Sequence, residues 1–72
     1  MKEEIGIVDR YNGYAGRIKA NDKEYILLDK DIINNENIKP NDEVNFIPEI
    51  KNDVYIARFV RKKEKKDNTK YK

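Results

Sequence analysis

The sequence predicts an all-β fold: a five-stranded antiparallel Greek-key barrel. Three observations carry that expectation. Apolar residues alternate with polar ones over short runs rather than recurring at helical spacing. Turn clusters punctuate the runs at Asn12-Gly13, Asn21-Asp22-Lys23 and Lys51-Asn52-Asp53. A single longer connection, Asp29 to Asn41, follows the third run.

The first strand spans Ile5 to Tyr11. Ile7 and Val8 are adjacent, which predicts a bulge or a strand covered partly on both sides. Gly6 inside it fits a tight bend at a barrel corner. Asn12-Gly13 then predicts a type I′ hairpin turn, because both central residues of that turn need positive φ. The second strand, Tyr14 to Ala20, places Gly16, Ile18 and Ala20 on one face and Ala15, Arg17 and Lys19 on the other. The third strand, Glu24 to Leu28, is almost wholly apolar.

The connection predicts one helical or 3₁₀ turn over residues 29–33, with Asp29 as its N-cap. Ile38 should plug the core, and Lys39-Pro40-Asn41-Asp42 reads as a type I turn. In the fourth strand, Glu43 to Ile50, Val44 and Phe46 share a face and Pro48 marks an edge or a bulge. The fifth strand, Val54 to Arg61, places Tyr55, Ala57 and Phe59 on one face and Ile56, Arg58 and Val60 on the other. Closure into a barrel removes exposed sheet edges, which favours the OB type; an SH3-like barrel has a similar strand count. The division is a barrel over residues 1–61 and a disordered basic tail over residues 62–72.

Charge is unevenly distributed. Residues 1–60 hold nine bases and twelve acids, a net of −3, whereas residues 61–72 hold seven bases and two acids, a net of +5. The chain has no Cys and no His, so disulfides and Cys/His zinc sites are excluded. Ser is absent and Thr69 is the only Thr. No set of side chains assembles a catalytic site, so the expectation is a non-enzyme without cofactor or metal. No apolar run approaches the roughly 20 residues of a membrane span, and no signal-peptide core opens the chain. The expected setting is cytoplasmic, with no membrane partner.

Several segments, in unbroken order over about residues 4–61, resemble the cold-shock domain family. Gly6-Ile7-Val8-Asp9-Arg10-Tyr11-Asn12 is similar to its opening Gly-x-Val-x-Trp-Phe-Asn. Tyr14-Ala15-Gly16-Arg17-Ile18 sits where the family has Gly-Phe-Gly-Phe-Ile, and Tyr25 to Ile32 where it has Val-Phe-Val-His-Phe-Ser-Ala-Ile. Ile38 to Phe46 follows its Leu-x-x-Gly-x-x-Val-x-Phe pattern, and Ala57-Arg58-Phe59 its Ala-x-Val. The resemblance implies an OB fold with a single-strand-binding face on strands one to three. Most of the family's stacking rings are replaced here. Arg10 stands at the Trp position, Ala15 and Arg17 replace two Phe, and Ile26, Leu28 and Asp29 replace Phe, His and Phe. Tyr11 keeps its ring. Stacking contributes about 1–3 kcal/mol per base, so the implied affinity is weak and mainly electrostatic.

The candidate nucleic-acid-binding residues are Arg10, Tyr11, Tyr14, Arg17, Lys19 and Arg58, with RNA or single-stranded DNA as partner. Arginine pairs bidentately with phosphate and also stacks on bases. Tyr11 and Tyr14 flank the first turn, where they could stack a base or pack over the barrel rim. The basic tail could add phosphate contacts. A second expectation is a protein partner at Ile26 and Leu28, an apolar pair on the outer face if strand three keeps its register.

Overall fold

The structure, a computed structural model, describes residues 2–63. Five strands form a closed barrel: β1 (Glu4–Tyr11), β2 (Ala15–Ala20), β3 (Lys23–Leu28), β4 (Glu43–Lys51) and β5 (Val54–Lys62). Two 3₁₀ turns, Asp29–Asp31 and Ile33–Asn35, lie between β3 and β4. Among the described residues there is no α-helix, and no helix is long and apolar enough to cross a membrane. The expected tail begins too early, because β5 includes Lys62 and the Lys63 N–H donates to the Glu43 carbonyl at 2.8 Å. The rest of the expected tail lies outside the described residues.

The strand order around the barrel is β1-β2-β3-β5-β4, with β4 returning to β1. The sheet is mixed rather than wholly antiparallel. Three hairpins and the β1–β4 pairing are antiparallel, so β1, β3 and β5 all run the same way. The β3–β5 seam must then be parallel, and it is, through Ile26 opposite Ile56.

The core is the inward face of every strand. Val8, Ile18, Leu27, Val44, Phe46, Ala57 and Val60 are wholly buried. A buried aliphatic side chain of this size stabilises by about 1.5–3 kcal/mol. Ile38 and Ile32 close the core from the long connection, and Ile32 bridges Val60. Tyr25 packs its ring against Phe46 at 4.9 Å and edge-on to Tyr55 at 5.6 Å. Burial raises the Tyr25 phenol above its ordinary pKa, with Glu4 and then Tyr55 adding to the shift. Pro48 lies in the part of β4 that extends past β1, whose pairing spans only Glu43 to Phe46. A missing N–H is tolerated on such an edge.

The turns divide differently from the expectation. The pattern of two positive φ angles occurs at Asn21-Asp22 (52° and 63°) and Asn52-Asp53 (51° and 65°). At the first turn only Gly13 is positive, at 99°, and Asn12 instead bends the chain with its side chain. Its Oδ1 accepts from the N–H of Tyr14 and of Ala15, each at 2.9 Å. Asn41 has φ of 75°, so Lys39–Asp42 is a type II turn rather than type I. Asp29 opens the first 3₁₀ turn and is not its N-cap; Leu28 occupies that position without a side-chain cap.

Two irregularities redirect side chains. The β1–β2 register steps from Val8 opposite Ile18 to Arg10 opposite Arg17, leaving Asp9 as the extra residue of a bulge. Ile7 itself points outward and Val8 inward, so the bulge falls just beyond the pair that predicted it. In β5, Phe59 has φ of 53° and is 56% exposed. The expected alternation breaks there: Phe59 turns outward, away from the face of Ala57, and Val60 turns inward. A bulky residue in the left-handed region is uncommon and strained.

Candidate functional site

The outward side chains of β1 and β2 build the site. Gly16 and Ile18 are buried, so Ala15, Arg17 and Lys19 face outward between them. The bulge at Asp9 brings Arg10 opposite Arg17. Without that extra residue β1 would present the other parity to β2. Gly16 is part of the same construction. A Cβ there would meet the Arg10 carbonyl oxygen at 1.9 Å, so only glycine lets β2 press this closely against the bulge.

Two guanidinium groups therefore project from directly opposed positions. Like charges in that relation are destabilising unless something neutralises them. Asp9 does so only loosely, with its carboxylate 3.9 Å from Arg10 Nε and 3.9 Å from Lys19 Nζ. Among the described residues Arg17 forms no ion pair. Its Nη1 donates to the Gly16 carbonyl at 3.1 Å, which orients the group beside the strand. Arg10, Tyr11, Asn12, Ala15, Gly16 and Arg17 line an open concavity of about 350 Å³.

The remaining expected residues separate into different surroundings. Tyr11 is half-buried and packs against the core, and its phenol is raised above the ordinary pKa by burial and then by Asp29. Tyr14 stands at the turn tip, 75% exposed. Arg58 lies away from the concavity, on β5. Its Nε is 2.9 Å from Asp31 Oδ1, and its Nη1 is 2.9 Å from Glu49 Oε1. Asp31 is 7% exposed and its Oδ2 has no partner, so Arg58 neutralises a carboxylate the fold has buried.

Ile26 and Leu28 point outward, alternating with buried Tyr25 and Leu27, yet both are half-covered by their neighbours. Ile26 sits between Arg17 on β2 and Ile56 on β5. A single row thus runs Arg10, Arg17, Ile26, Ile56, Glu49 across all five strands. The sequence already offers Asp9 as a local partner for the bases of this face, whereas Gly16 as part of the site escapes it. A glycine in the middle of a well-alternating strand was the available signal for close backbone approach. Among the described residues, no group of three or more His, Cys, Asp or Glu side chains is placed to hold a metal ion.

No protein-family model matches the chain, and no curated protein matches it.

Proposed function

We propose that this barrel is an OB-type, cold-shock-like domain that binds RNA or single-stranded DNA weakly through phosphate contacts. The strand order β1-β2-β3-β5-β4, with closure of β1 on β4, supports the OB reading over an SH3-like one. The observation that carries the binding reading is Arg10 opposite Arg17, a cationic pair on the outer face of β1 and β2 that Asp9 offsets only at 3.9 Å from Arg10 Nε. Lys19 extends that face, and exposed Tyr14 offers a ring at its edge. Arg58 belongs to the scaffold, since two carboxylates already hold it.

Fluorescence anisotropy with labelled oligo-dT and oligo-U, at two salt concentrations, tests the reading. Arg17→Glu should cut the affinity in low salt, and an unchanged affinity would remove this face from consideration. A second reading is supported by the outward Ile26 and Leu28, which fit a protein partner. It predicts amide chemical-shift changes around those residues with a protein partner and none with oligonucleotide.

A further inference from the structure

We propose that the Arg10–Arg17 concavity holds one phosphate monoester, at the end of a nucleic-acid strand or on a free nucleotide, rather than a run of internal phosphodiesters. This rests on the nucleic-acid reading above and specifies which phosphate the face selects. Arg10 and Arg17 are directly opposed on β1 and β2 and line one open concavity, where the absence of a Gly16 side chain lets the two strands press together. A monoester carries close to two negative charges near neutral pH, against one for a diester. Two arginine forks match that charge and its several free oxygens.

The surroundings argue against a longer phosphate track. Across the sheet from Arg17 the row becomes apolar at Ile26 and Ile56, then acidic at Glu49. Along β1 and β2, away from the turn, Asp9 sits beside Lys19, and Glu24 is directly opposite Lys19 on β3. Towards the long connection, Asp29 is close enough to Tyr11 to disfavour its phenolate. A strand leaving the concavity in any of these directions meets carboxylate or aliphatic side chains, and the next cation along β2, Lys19, has Asp9 at 3.9 Å and Glu24 opposite it. A chain that ends in the concavity places its most charged group on the two arginines and avoids that repulsion.

The test uses the full chain at low salt and four probes: oligo-dT of one length with a 5′-phosphate, with a 3′-phosphate, or with hydroxyls at both ends, and thymidine monophosphate. One phosphorylated oligonucleotide should bind about tenfold more tightly than the hydroxyl form, a difference of about one charge-assisted contact. Arg10→Gln and Arg17→Gln should each abolish that preference, while circular dichroism and thermal melting show the barrel intact. Thymidine monophosphate binding as tightly as the preferred oligonucleotide would support the monoester site and identify the free nucleotide as its source. Equal affinities for all three oligonucleotides, still lowered by Arg17→Gln, would overturn the monoester proposal and leave the nucleic-acid reading standing. Binding to none of the probes, or binding indifferent to both arginines, would overturn both.

Discussion

The carbonyl oxygen of Arg10 occupies the space that a Cβ on Gly16 would need, the two being 1.9 Å apart in that event. This contact fixes how β1 turns past β2 at the Asp9 bulge, and so where both arginines point. Gly16→Ala should therefore cost about 1–3 kcal/mol, the usual range for overpacking. Urea unfolding would report it as a lowered midpoint, and the same variant should bind oligonucleotide less well. A midpoint matching the wild type would mean that the close approach does not constrain the barrel.

Arg58 supplies a second prediction. Asp31 is buried, and its Oδ1 lies 2.9 Å from Arg58 Nε. Arg58→Met keeps most of the aliphatic stem but leaves that carboxylate without its cation. A fully buried pair broken on one side loses about 3–5 kcal/mol. The Arg58 side chain is 40% exposed, so solvent screening reduces the expectation to about 1–2 kcal/mol. Chemical denaturation measures it, and oligonucleotide affinity per folded molecule should stay unchanged.

The legible part of the fold was the part set by local chemistry. Alternation at Val44 and Phe46, at Gly16 and Ile18, and the plug at Ile38 all follow from apolar residues seeking one interior. The Asn and Asp pairs at residues 21–22 and 52–53 marked their turns because those residues tolerate positive φ. What escaped was set by distant partners. The parallel β3–β5 seam depends on where the connection delivers β4, and no local pattern encodes that. Parity puts Phe59 on the face of Ala57, but the β5 irregularity turns it to the other side. Parity alone groups Arg58 with the outer-face bases; Asp31, a partner the sequence offers, and Glu49, which it does not, hold it elsewhere. Asn12-Gly13 was a correct turn signal with the wrong geometry, because the Asn12 side chain took over an acceptor role that a backbone carbonyl would have filled.

The reversed aromatic on β5 gives a third prediction. Phe46 is wholly buried, and Phe46→Ala should cost about 3–5 kcal/mol. Phe59→Gly removes an equal ring from an exposed, left-handed position, where glycine relieves about 1 kcal/mol of backbone strain. Its free energy of unfolding should stay within about 1 kcal/mol of the wild type by the same offset. A loss comparable to that of Phe46→Ala would show that Phe59 is held by contacts the barrel cannot do without.

Stability at alkaline pH follows from Tyr25. Its phenol is raised in the folded chain by burial first, so the unfolded chain releases that proton at the lower pH. The contribution is fully present below the unfolded phenol pKa of about 10 and is lost as pH climbs through the folded value. Tyr25→Phe should therefore flatten the fall in melting temperature above about pH 10. An unaltered alkaline slope in that variant would place the titration elsewhere.

The central claim is that Arg10 and Arg17 together read anionic phosphate, and a salt titration of single-strand binding tests it most directly. With two phosphate charges neutralised, as two phosphodiesters or one monoester carry, the logarithm of the affinity should fall against the logarithm of salt with a slope of about −1.4. The double variant Arg10→Gln, Arg17→Gln should bind far more weakly, with a slope close to zero. Wild-type affinity and an unchanged slope in that double variant would contradict the account.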